Sequence, residues 1–451
     1  MGRQTEGLAR FVAHTQWEDI PAPVQRHAKL VFLDTLGVIL AGSERPEVRQ
    51  LRERLAATAG SGATVLARGW PVQDPRTAAL LNGVAGRAIE LCEGLRLVTG
   101  QAAMQTLPGI LAVGECAQAS GRELLAALVV GYDVAGRLST AFTPRPLAHQ
   151  NGQVGLLAAA AAGARVRGLD AAGVSRALRI ATTLVLTPSY TNAVAGATTL
   201  NVAGGMSGYA CALAPELALA GFEAQDDAVE EALGNLVGDG FRADGLLDEL
   251  GTRWEITRNY FRLYACCNPI HPALDCLKAV LAALRPRPDD IERIDVATYR
   301  FASVMRNPDP PNYFASKYSL PHAAAVMAVR GDASHASIDD AALRDPTIAA
   351  LRHRVHVAED PAMSAVAPRL RPARVTVTLK DGRQGTHACE SHRGDFQQPF
   401  EESEIRGKFH ELAGFVLTAE GVAMAEEAID RCERLANVRE LTELLRRHGR
   451  K

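Results

Sequence analysis

Apolar residues recur three and four positions apart from about Trp17 to Leu250, the period of helices with a buried face. In ELLAALVVGYDVAGRL, residues Leu125, Leu128, Val129, Tyr132 and Ala135 form one continuous apolar stripe. The period changes near RPRPDDIERIDVATYR: prolines and paired aspartates end the helical pattern, and Ile294, Val296 and Thr298 then alternate as in a strand. RVTVTLKDGRQGTHACE repeats the alternation with Val375, Val377 and Leu379 running into Asp381-Gly382, a turn pair suited to a hairpin. A helical segment, SLPHAAAVMAV, lies between the two. Beyond Asp395 helical spacing returns in SEIRGKFHELAGF and in the charged amphipathic tail AEEAIDRCERLANVRELTELLRRHG. The pattern predicts a mainly α fold: a discontinuous helical domain, residues 1–256 plus 398–451, with an α+β domain, 257–397, inserted.

Composition narrows the function classes. The chain has 451 residues, 47% hydrophobic and 22% charged, with a formal net charge of -2, enough for at least two domain cores. That balance excludes a disordered chain and a basic nucleic-acid binder. The eight cysteines have no framework spacing and read as reduced thiols of a cytoplasmic protein. MGRQTEGLARF lacks a charged-then-apolar leader pattern, and apolar runs such as GLLAAAAAGARV are too short and too rich in Ala and Gly to predict a membrane span. In YFRLYACCNPIHP, residues 260–272, adjacent Cys266 and Cys267 point apart and no second Cys/His pair at ligand spacing follows, so no metal site is expected. Gly-rich AGGMSG, 203–208, has no strand before it and does not predict a phosphate loop.

YFRLYACCNPIHP carries a basic residue, Tyr-x-Cys-Cys and a following His-Pro, and in this it resembles the MmgE/PrpD family, which includes 2-methylcitrate dehydratases and cis-aconitate decarboxylases. FLDTLGVILAGS (32–43), AALLNGVAGRAIE (78–90), GRELLAALVVGYDVAGRL (121–138), SKYSLPHAAAV (316–326) and RVTVTLKDGR followed by GD (394–395) are similar to the same family in the same order. The resemblance implies a helical domain with an inserted α+β lid, a homodimer, a small-molecule substrate and no organic cofactor. The departures are specific. Gly86-Arg87-Ala88-Ile89-Glu90-Leu91-Cys92-Glu93 stands where the family has Ala-His-Ala-x-Asp-x-Asp-Asp, and Gln101-Ala102-Ala103 where it has His-Pro-Ser. Leu200 and Ala203 replace a lysine and a histidine, and Arg262 replaces the lysine of the signature. His149, His271 and the pair Lys317-Tyr318 match.

Dehydration or decarboxylation beside a carboxylate needs cations to hold the acid, a base for a carbon-bound proton and an acid for the leaving group or carbanion. The resemblance assigns these tasks to His149 as base or acid, to Tyr318 or His271 as second proton donor, and to Arg262 as the planar fork that orients the substrate. Glu90, Glu93, Gln101, Leu200, Cys267 and Lys317 are the remaining candidate substrate contacts. Each has a structural reading beside the chemical one: His149 filling a polar gap between helices, His271 capping a helix, Arg262 pairing the two domains. Glu90 and Glu93 read equally as a solvated helix end, Cys267 as an inert thiol and Tyr318 as packing with one hydrogen bond. Loss of a lysine and two histidines predicts a substrate with fewer carboxylates and more apolar surface than citrate-like acids. The expected activity is a cofactor-independent lyase of dehydratase type. Alternatives are an isomerase, epimerase or cyclase of a specialised biosynthetic pathway, and a non-catalytic binding relative.

Overall fold

Ser120 starts the long apolar helix Gly121–Ala141 by accepting a hydrogen bond from the amide of Glu123 at 3.2 Å, which satisfies one of the free donors of the first turn. Nearly every face of this helix is buried, so polar groups on it need partners: Arg137 pairs with Asp133 at 2.6 Å and donates to the carbonyls of Leu246 and Asp248. The computed structural model describes residues 2–56, 62–96 and 100–450. Apolar sequence runs were expected to be too short to cross a bilayer, yet this helix has 21 residues and is apolar enough. It is enclosed by protein. Helix Val154–Val166, built largely of alanine, lies against it, and helices Ala102–Ala117 and Asn201–Leu219 pack on Val154–Val166 in turn. Small side chains permit that closeness. A Cβ on Gly83 of helix Pro75–Arg87 would meet the carbonyl oxygen of Gly204, and one on Gly208 would lie 2.7 Å from that of Ala79. AGGMSG therefore belongs to the interior of helix Asn201–Leu219, where its glycines form a helix contact.

Two cores divide the chain. The larger gathers buried residues from Leu8 to Phe261 and again from Ile405 to Leu445, with helix Glu402–Ala413 lying on helix Ala22–Gly42. The smaller is drawn mainly from Ala265 to Leu379. It is organised on a four-stranded sheet ordered Gln384–Cys389, Ala373–Leu379, Ile291–Thr298, Val355–Glu359, in which only the last pairing is parallel. Alternation placed Ile294, Val296, Val375, Val377 and Leu379 on one face, and all are buried there beneath helix His271–Leu284. Asp381 and Gly382 turn the hairpin, Gly382 at φ +85°. The fold is mainly α with an inserted α+β body. The first part is less uniformly helical than its spacing predicts: Phe142–Pro144 pairs with Gly238–Phe241, and Gly94–Leu95 pairs with Asn259–Tyr260. Pairs this short show no period in sequence. The tail is two helices, Ala419–Asp430 and Arg439–Arg447.

The two bodies meet at buried charge. Arg96 pairs with Asp395 and donates to the carbonyls of Pro368 and Arg369 at 2.8 and 3.2 Å. Within the helical body, Lys408 reaches from helix Glu402–Ala413 to Asp34 at 2.5 Å and to the carbonyl of Leu91 at 2.7 Å. Lys408 thus ties the segment after helix Pro75–Arg87 to the larger core, and Arg96 holds the same segment against the inserted body.

Candidate active site

A cavity of about 1140 Å³ opens between the two bodies. Five of the sequence candidates line it: Glu90, Gln101, His149, Cys267 and Tyr318. The helical body supplies Glu90 from the turn after helix Pro75–Arg87, Gln101 from the N-terminus of helix Ala102–Ala117 and His149 from the loop before helix Val154–Val166. The inserted body supplies Tyr318, while Cys267 lies just past the strand pair that enters it.

The polar end centres on Glu90. Its backbone adopts φ +52°, a left-handed conformation in the turn that follows the helix end at Arg87, and its side chain forms a buried ion pair with Arg87. Arg262 donates to Glu90 Oε1 at 2.7 Å, and Tyr318 Oη donates to Oε2 at 3.0 Å while accepting from Arg87 Nη2 at 2.8 Å. One carboxylate thus sits between two guanidinium groups and a phenol. The helix-end reading of Glu90 and Glu93 as solvated is corrected, since both are buried. Burial pushes the Tyr318 hydroxyl up to about 12, partly offset by Arg87.

Burial, with the charge of Arg87, pushes His149 down to about 3, so its ring is neutral at physiological pH. Its Nδ1 accepts from the amide of Asn151 at 3.2 Å. A neutral imidazole whose Nδ1 is an acceptor carries its proton on Nε2. His149 is therefore a hydrogen-bond donor in the resting site, the acid side of the base-or-acid role expected of it. Its ring stacks on Tyr190 at 5.6 Å. Gln101 Oε1, Ser139 Oγ and Tyr299 Oη are buried in the same wall without a hydrogen-bonding partner among the described residues, as expected where a ligand's polar atoms are received.

Other candidates lie outside the cavity wall. Arg262 is fully buried behind Glu90, its guanidinium also donating to the carbonyls of Cys92, Glu90 and Cys266 at 2.6, 3.0 and 3.2 Å. It orients Glu90 and has no free edge for a substrate. His271 packs against Tyr264 and His392, and its Nε2 donates to the Cys266 carbonyl at 3.1 Å. Glu93 is hydrogen-bonded by Tyr132 and by the Ala103 amide, and burial pushes it up to about 7. Lys317 donates to the Ile338 carbonyl at 2.9 Å over the ring of Tyr313, and burial pushes it down to about 7. Leu200 is packed into the smaller core, and Ala203 lies inside helix Asn201–Leu219. Cys267, which does line the cavity, has its thiol pKa raised by burial, so it is no ready nucleophile.

The sequence profile of the MmgE/PrpD N-terminal domain matches residues 6–238, and that of the MmgE/PrpD C-terminal domain matches residues 264–434. The chain belongs to the MmgE/PrpD family. Among curated relatives, it is 23% identical to a cis-aconitate decarboxylase of Aspergillus terreus, covering 98% of this chain and 95% of that one. It is 25% identical to the cis-aconitate decarboxylase-like protein oryM of Aspergillus oryzae, over 98% and 97% of the two chains. Cis-aconitate decarboxylase of Mus musculus is 24% identical, over 98% and 93%.

Sequence reasoning missed two arginines of this MmgE/PrpD site. Arg87 stands in the quoted turn where the family pattern has histidine, and its pairing with Glu90 three residues on was the available signal. Arg371 belongs to no motif. It lines the cavity from just before strand Ala373–Leu379, pairing with Asn268 Oδ1 and donating to the Arg96 carbonyl at 2.7 Å. Asn268 in turn meets His392 Nε2 at 2.9 Å, and His392 Nδ1 donates to the Arg393 carbonyl, fixing which way the Asn268 amide faces.

Proposed function

We propose that this MmgE/PrpD protein is a lyase that decarboxylates an acid with fewer carboxylates than citrate-like compounds, using groups of its own chain. The observation that carries this reading is the supply of donors around one fully engaged carboxylate. His149 presents Nε2–H, Tyr318 is a phenol at neutral pH, and Glu90 is held by Arg87, Arg262 and Tyr318. Dehydration, the expectation from sequence, requires a base free to take a carbon-bound proton, and so does isomerisation. Decarboxylation does not. The bond between carbon and the carboxylate breaks, its electron pair passes into an adjacent carbonyl or conjugated acid, and carbon dioxide leaves. Fixed donors such as His149 Nε2–H stabilise the enolate. Tyr318 gives its proton to the carbanion carbon, the phenolate rests beside Arg87, and water returns the proton. The curated relatives named as cis-aconitate decarboxylases support this reaction class.

The test is incubation with β-keto acids and unsaturated acids in heavy water, read by mass spectrometry. Release of carbon dioxide with one deuterium on the product carbon is expected. Loss of water would move the assignment to dehydratase, and unchanged mass with deuterium uptake would move it to isomerase.

A further inference from the structure

Resting on that reading of the site, we infer that the substrate carries an apolar tail, an aryl group or an alkyl chain of several carbons, which extends from the reacting head to the cavity mouth. The cavity is asymmetric. Glu90, His149 and Tyr318 stand at its buried end, while the outer wall is built largely of Pro144, Pro146, Leu147, Phe301 and Val304, with Thr191, Arg300 and Asn307 among them at the surface. Rings join the two ends without a gap: His149 stacks on Tyr190, and Tyr190 packs at 5.0 Å against Phe301. Leu147 is 68% exposed, Val304 52% and Phe301 36%, so the apolar wall continues to the surface, uncovered by the described residues. A volume of about 1140 Å³ exceeds the range of roughly 300–1,000 Å³ that encloses most small ligands, and a short polyacid would leave the outer part to water. Charge supply agrees. Of the described lining residues the arginines are Arg300, paired with Glu359 at 3.2 Å, and Arg371, engaged by Asn268 and the Arg96 carbonyl. Such a wall receives one anionic head and offers little to a second or third carboxylate.

The experiment is calorimetric titration of the full chain with saturated 3-hydroxy acids of about four to twelve carbons, where each buried methylene should tighten binding roughly fourfold until the tail passes the mouth. Propane-1,2,3-tricarboxylate is the tail-less comparator and is expected to bind more weakly than the longer acids. Phe301→Ala and Val304→Asp should weaken the long acids while leaving the shortest one unmoved, with folding checked by thermal denaturation. Affinity independent of chain length, or tighter binding of the tricarboxylate, overturns the inference. So does a dimer in sedimentation that Leu147→Asp dissociates without any change in long-acid binding, because the mouth would then belong to a second copy. Binding is read without turnover, so the tail can stand where carbon dioxide release fails, and the reverse.

Discussion

Tyr318 is the side chain whose loss most directly separates chemistry from architecture. Tyr318→Phe keeps the ring and leaves Arg87 paired with Glu90, so thermal stability is expected to change little. Turnover should fall by about 10²–10⁴-fold, the span of an acid–base contribution, with a smaller change in substrate affinity. Steady-state kinetics beside a melting curve checks both. His149 makes a prediction about pH. Its folded pKa of about 3 lies below the ordinary 6.5, so from pH 6.5 downward the unfolded chain takes up a proton that the native site refuses. Stability is therefore whole above 6.5 and lost as pH falls toward 3. Relative to His149→Gln, the parent protein should lose about 1.4 kcal/mol per pH unit in that window, measured by denaturant unfolding. The site was legible where a motif carried it: Glu90, Cys267 and Tyr318 reach the cavity from quoted segments, and His149 from a position that matches the family pattern. It was not legible where burial decided. Arg262 and His271 have chemically suggestive side chains, but backbone carbonyls occupy their donors, and one-dimensional spacing carries no record of that.

At the scale of elements, helix Pro75–Arg87 links packing to chemistry. Gly83 lies against helix Asn201–Leu219, and one turn farther on the same helix delivers Arg87 to Tyr318 and Glu90. Gly83→Ala must push the two helices apart, at a cost of about 1–3 kcal/mol. The displacement should also lower turnover by misplacing Arg87, although residue 83 is absent from the cavity wall. Denaturation and kinetics on this one variant show whether the two losses travel together. Long helices and the eight- and seven-residue strands Ile291–Thr298 and Ala373–Leu379 were readable because they run for several periods. The two-residue pairing of Gly94–Leu95 with Asn259–Tyr260 was not, although it aligns the walls of the site. Tertiary contact alone specifies it.

For the whole molecule, Arg96 fastens the inserted body to the helical one. Arg96→Met leaves Asp395 buried without its guanidinium and frees the carbonyls of Pro368 and Arg369. Loss of about 3–5 kcal/mol is expected, as for one partner removed from a buried pair. Hydrogen exchange should quicken around residues 368–395 while helix Gly121–Ala141 stays protected. Even distribution of the faster exchange over both bodies would contradict that role for Arg96.

The partnership of Asp34 with Lys408 has a consequence for how the chain is made. These groups are 374 residues apart, and at about 5–20 residues per second a ribosome needs roughly 20–75 s to bring the lysine after the aspartate. For that interval helix Ala22–Gly42 lacks the cover of helix Glu402–Ala413, and the larger core cannot close however well its first half is formed. Nascent chains should therefore be a ready substrate for chaperones that hold exposed apolar helices, and slowing translation should lengthen their dependence on that help.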